Sequence, residues 1–102
     1  MILNEKHKAN IIQIIKDNLK IESEVIAYGS RIRGDCHDAS DLDIIIKTKS
    51  GNPLPKEDFR IITKKFQESN IPIIIDLRDW ALVPKYFHKY INEQNELLYR
   101  NY

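Results

Sequence analysis

Two aspartates one residue apart, Asp41 and Asp43, stand directly before a run of three isoleucines, Ile44 to Ile46. On a strand, alternate side chains point the same way. Two residues of rise put the two Cα atoms roughly 6.5–7 Å apart. Both carboxylates then project from one face and can share a cation, and without something positive between them they repel. Oxygen ligands alone favour Mg²⁺, with Mn²⁺ as the alternative, over zinc. Ten residues upstream of this pair lies Gly29-Ser30. Glycine lets backbone approach a phosphate closely, and the serine hydroxyl with nearby amides can hold its oxygens. A third carboxylate, Asp76, lies near the end of a second isoleucine-rich run. If that strand neighbours the first, Asp76 faces the same cation and can orient an attacking hydroxyl and help take its proton. A carboxylate-bound metal beside a phosphate-holding turn is equipment for phosphoryl or nucleotidyl transfer.

The elements that must position these residues follow from periodicity. Ile11, Ile14, Ile15 and Leu19 recur at helical spacing, which predicts an amphipathic helix from Asn4, its N-cap, to about Leu19. Glu24 to Tyr28 reads as a short strand stopped by Gly29. Residues 29–40 read as a loop with one helical turn at most. Leu42 to Thr48 reads as a central strand covered on both faces. A turn at 50–53 precedes a helix from about Lys56 to Ser69, with Phe59, Ile62 and Phe66 on its apolar stripe. Pro72 opens a third strand, residues 73–77, whose isoleucines are expected to be buried. A last helix starts at Pro84 with Val83, Tyr86, Phe87, Tyr90 and Ile91 as its core stripe, and Asn95 as a left-handed cap. Leu97 to Tyr99 reads as a short edge strand. The order is α-β-β-α-β-α with a last strand: an α/β (α+β) fold, a small mixed sheet of three to four strands with helices packed on it.

The whole is small. With 102 residues it is expected to be one domain over 1–102, an N-terminal helix in residues 1–20 and a motif-bearing core in 24–99. Sixteen Lys and Arg against fifteen Asp and Glu leave a net charge of +1, so any phosphate binding is local and direct DNA binding is not expected. One cysteine, Cys36, excludes a disulfide framework and a cysteine-built zinc site. No apolar run reaches a membrane span and the N-terminus does not read as a secretory signal, so no membrane association and a cytoplasmic location are expected.

Gly-Ser, ten residues, then Asp-x-Asp is similar to the motif of the DNA polymerase β-like nucleotidyltransferase superfamily. Gly29-Ser30-Arg31-Ile32-Arg33-Gly34 followed by Ser40-Asp41-Leu42-Asp43 resembles its minimal prokaryotic members, and residues 69–80 resemble their third-carboxylate strand. The resemblance spans residues 24–99. It implies a polymerase β palm-like fold in which Gly29 and Ser30 hold the β,γ-phosphates of ATP. Asp41 and Asp43 would bind two Mg²⁺ ions. Asp76 would complete the metal site and assist the attacking hydroxyl. It also implies in-line attack on the α-phosphorus with release of pyrophosphate. Larger members add a substrate-gripping domain for which this chain has no room. The minimal form typically accompanies a HEPN-domain toxin, and the resemblance implies an antitoxin that adds AMP to a tyrosine of that partner. Neutralisation by occlusion, and a small-molecule acceptor such as an antibiotic, are the alternatives.

Around this frame, Arg31 and Arg33 are candidate nucleotide-binding residues that contact the triphosphate, the partner or only water. Ser40 reads as a turn former. The acidic, His-containing stretch 35–38 departs from the family pattern, and Cys36 with His37 does not make a metal site. Trp80 reads as packing at a strand-to-helix corner. His7, His88 and the Lys64-Lys65 pair read as helix surface.

Overall fold

A computed structural model describes residues 4–34 and 41–102. Helix α1 spans Glu5–Asn18, and the Asn4 side chain caps it by accepting from the Lys6 amide at 2.7 Å. Strand β1 (Ser23–Tyr28) leads into the single turn α2 (Ser30–Arg33), and β2 covers Leu42–Thr48. Helix α3 (Lys56–Gln67) crosses to β3 (Ile75–Asp79). A 3₁₀ turn at Trp80–Leu82, helix α4 (Lys85–Glu93) and strand β4 (Asn95–Arg100) complete the chain.

The described strands form one sheet in the order β3-β2-β1-β4. β1 lies antiparallel to β2 and β4, whereas β2 and β3 run parallel. A parallel pair needs a crossover, and α3 supplies it. The mixed sheet with helices packed on it is the architecture the sequence predicts. Side chains alternate between its faces. Val25 and Ala27 of β1, with Leu42, Ile44 and Ile46 of β2, pack against Ile11 and Ile15 of α1 and Ile62 and Phe66 of α3. On the other face Ile26, Tyr28 and Ile45 meet Ile91 of α4, with Trp80, Val83 and Phe87 around them. Ile44, Ile45 and Ile46 are all fully buried, as expected of a central strand covered on both sides.

Several boundaries differ from the periodicity. β3 begins at Ile75, three residues after Pro72, because pairing with β2 starts at Leu42 opposite Ile75. Its isoleucines are not all buried: Ile73 and Ile75 are partly covered, and Ile74 between them is 71% exposed. Ile73 and Ile74 precede the paired strand, so no described neighbouring strand covers them there, and the Ile74 side chain faces out. Pro84 is the N-cap of α4 and not its first helical residue. Asn95 is no left-handed cap. The chain leaves α4 through an extended Gln94, Asn95 opens β4, and its side chain donates back to the Ile91 carbonyl at 3.0 Å. The α4 stripe is narrower than predicted: Ile91 is buried and Phe87 partly so, whereas Tyr86 is 76% and Tyr90 40% exposed. His88 is more than helix surface: its ring stacks on Trp80 at 3.9 Å and its Nε2 lies 2.6 Å from the Trp80 carbonyl. Lys64 and Lys65 are exposed, as expected.

Candidate active site

The site is built where β1 ends and β2 and β3 begin. Past Tyr28 the chain must turn sharply, and Gly29 does so at φ 86° and ψ −160°, a region that disfavours any residue with a Cβ. Space makes the same demand. A Cβ built on Gly29 would collide with Oδ2 of Asp43 and lie 3.2 Å from its Cγ. Glycine thus lets the backbone lie directly against the Asp43 carboxylate. The Gly29 carbonyl accepts from the amides of Ile32 and Arg33, each at 3.0 Å. Gly34, at φ 87°, closes the turn with its amide on the Ser30 carbonyl at 2.9 Å. Ser30 is the first residue of this turn and is partly exposed. Arg31 is buried and Arg33 exposed.

Strand register sets the carboxylates. Tyr28 pairs with Asp43 across β1 and β2, and Asp43 pairs with Asp76 across β2 and β3. The neighbouring of the two isoleucine-rich strands, on which a role for Asp76 depends, is therefore present. Asp41 lies exposed, one residue before β2. The Asp43 carboxyl is pushed above the ordinary carboxylate range, first by burial and then by the charges of Asp76 and Asp41, with Arg78 and Arg33 opposing. Arg78 reaches Asp76 at 3.4 Å and lies 5.7 Å from the centre of the Phe87 ring. Burial, then the Asp43 charge, also raises the Tyr28 hydroxyl well above its usual value, so it stays a donor.

Among the described residues no three His, Cys, Asp or Glu side chains converge as a ready-made metal cage. The donor set nonetheless suits a hard cation. It is all oxygen, and the half-buried Asp43 carries a repulsion from two carboxylates that a cation would relieve.

A cleft of about 450 Å³ opens beside the carboxylates, with Asp43, Asp76 and Arg78 on one side and Tyr86, Phe87 and Tyr90 of α4 on the other. The α2 turn is tied to α4 twice. Arg33 donates to the Tyr90 hydroxyl, and Gln94 Nε2 donates to the Ile32 carbonyl at 3.3 Å. The structure thus brings together Gly29, Asp43 and Asp76, with Ser30, Asp41 and Arg33 at the rim. Ser40, Cys36 and His37 lie outside the described residues. Periodicity missed Tyr28 and Arg78. The signals were present: Tyr28 directly precedes Gly29, and Arg78 is the same-face neighbour of Asp76 on β3. It also took Tyr86 and Tyr90 for core when they wall the cleft.

Comparison with known proteins bears on the family and the fold. Residues 9–102 match the family model "Polymerase beta, Nucleotidyltransferase". "Probable protein adenylyltransferase MntA" from Haemophilus influenzae is 32% identical over 83 residues, covering 81% of this chain and 71% of that protein. A solved structure described as "Crystal structure of the toxin-antitoxin with AMP-PNP" superposes with a TM-score of 0.74 at 23% identity, over 97% of this chain and 75% of that one. A "tri-AMPylated Shewanella oneidensis HEPN toxin in complex with MNT antitoxin" gives 0.70 at 17% identity, over 97% and 74% of the two chains. These superpositions establish a shared fold. With the sequence match over nearly its whole length, the chain belongs to the polymerase β nucleotidyltransferase family.

Proposed function

We propose that this nucleotidyltransferase moves AMP from ATP to a hydroxyl, a tyrosine of a HEPN-domain toxin, and thereby acts as that toxin's antitoxin in the cytoplasm. One observation carries the reading: the register that sets Asp43 beside Asp76, with the Gly29 backbone held against Asp43. The name of the Haemophilus relative and the toxin–antitoxin complexes of the same fold support the choice of acceptor.

In this reading the Gly29-Ser30 turn holds the β,γ-phosphates through backbone and the Ser30 hydroxyl. Of the two arginines, the exposed Arg33 is the one at hand for a phosphate. Asp41, Asp43 and Asp76 would hold Mg²⁺, which when bound would neutralise charge on the phosphates and polarise the α-phosphorus. Asp76, next to Asp43 on the outer strand, orients the acceptor hydroxyl and draws its proton. The hydroxyl oxygen bonds to the α-phosphorus as the bond to the β-phosphate oxygen breaks, and pyrophosphate leaves.

The test is transfer of label from α-³²P-ATP with Mg²⁺, with and without lysate of the source cell, read on a denaturing gel. A protein band that needs the lysate, and that falls about 10²–10³-fold in Asp43→Asn, is expected. Label that survives Asp43→Asn would sink the mechanism. No label in any fraction despite Mg·ATP binding would shift the reading to occlusion or to a small-molecule acceptor.

A further inference from the structure

Tyr28 is the last residue of β1, and its side chain is 98% out of solvent, with 2% exposure. Its hydroxyl is buried with no hydrogen-bond partner. An unpaired buried hydroxyl is costly, and a phenylalanine would fill the same space without that cost. The ring is held edge-on by Phe87 at 5.7 Å and Tyr90 at 6.3 Å between centroids, and Tyr28 lines the same cleft as Asp43 and Asp76. The outer wall of that cleft is Tyr86, left 76% exposed on a helix whose other aromatic residues pack inward or against one another.

The nucleotidyl-transfer reading, on which this rests, decides what fits there. Pyrophosphate would leave toward Gly29-Ser30, so in-line attack brings the acceptor from the opposite side, past Asp76. The nucleoside hangs from the same α-phosphorus across that line. The aromatic wall shares one cleft with Asp43 and Asp76 and is joined to the phosphate turn through the Arg33–Tyr90 hydrogen bond. We propose that this end of the cleft is a nucleoside subsite: the base lies against Tyr86 and Tyr90, and the Tyr28 hydroxyl donates to an acceptor atom of the nucleoside. Flat π-faces are what aromatic walls recognise, and they do so with little preference among bases.

Two ligands separate the nucleoside from the phosphates: α,β-methylene-ATP and inorganic tripolyphosphate, each titrated with Mg²⁺ by calorimetry into the full chain. Tyr86→Ala, at an exposed position, should weaken the ATP analogue about tenfold and leave tripolyphosphate unchanged. Tyr28→Phe should weaken the analogue about fivefold, again without effect on tripolyphosphate, while melting at or above the wild-type temperature. Equal binding of the analogue by both variants and wild type overturns the subsite and leaves the transfer reading intact. Unchanged analogue binding with slower labelling of the protein acceptor also overturns it, and assigns the wall to the acceptor. Parallel loss of both ligands overturns it in favour of a structural role for these rings. If wild type binds neither ligand, the transfer reading itself falls and the subsite with it.

Discussion

Asp43 is the residue at which fold and chemistry conflict. Its carboxyl is crowded by burial and by two like charges, so the folded protein holds that proton to higher pH than the unfolded chain does. Below the usual value of 3.8 both states are protonated and Asp43 adds no penalty. As pH rises above 3.8 the unfolded state releases its proton first, and a destabilising contribution grows until pH passes the raised folded pKa. Asp43→Asn should therefore melt above wild type at pH 7, with the gap closing toward pH 3.5, in paired thermal scans without divalent ions. Added Mg²⁺ should narrow the gap at pH 7 by raising the wild type alone, because a ligand that binds the native state stabilises it. A variant that melts below wild type at pH 7 would show that Asp43 is held by partners and not strained. Gly29, Ser30, Asp41 and Asp43 were legible in the sequence because their relation is local: a turn, a short stretch and one strand. Tyr28 and Arg78 carried only a local hint, next to Gly29 and two residues from Asp76; their place beside Asp43 depends on which residue of each strand sits opposite which, and composition does not encode that register.

At the scale of elements, one carboxylate with no part in the chemistry holds the far end of β3. Asp79 is 5% exposed, with Oδ2 accepting from the Leu54 amide at 2.8 Å and Oδ1 from the Ala81 amide at 3.0 Å. It starts the 3₁₀ turn and fastens the segment that leads into α3. Asp79→Ala would leave both amides without that acceptor and should cost about 2–3 kcal/mol in urea unfolding. Asp79→Asn, which keeps one acceptor oxygen, should cost less. A loss below 0.5 kcal/mol in Asp79→Ala, roughly what a surface change costs, would show that water replaces it. The sequence could not distinguish this aspartate from a solvated one, since the bond that matters spans 25 residues to Leu54. The same limit explains α4. Its spacing fits a fully packed helix, but the sheet face beneath it ends at the cleft, so Phe87 and Ile91 are covered and Tyr86 is not.

At the scale of the molecule, the sheet order places β1 between β2 and β4, with β4 the last of the described strands in sequence. The order α-β-β-α-β-α with a final strand was legible, but which edge the final strand would take was not: hydrophobic alternation fits either side. That placement bears on how the protein is made. As the chain emerges from the ribosome, β1 and β2 can pair as soon as residue 48 is free, and the acidic pair of strands is complete by residue 79. Until residues 95–100 arrive, β1 keeps one open edge of unpaired amides beside buried Val25 and Ile26. An open apolar edge is a template for pairing with another chain. A chain ending at residue 94 should accordingly sediment as aggregate when translated without chaperones, whereas the full chain stays in the supernatant; equal recovery would show that β4 dispensably covers an edge already protected. The interval between translating residue 48 and residue 100 is thus the period in which this small enzyme most needs a chaperone, and slow codons within it would lower its yield without altering a single amino acid.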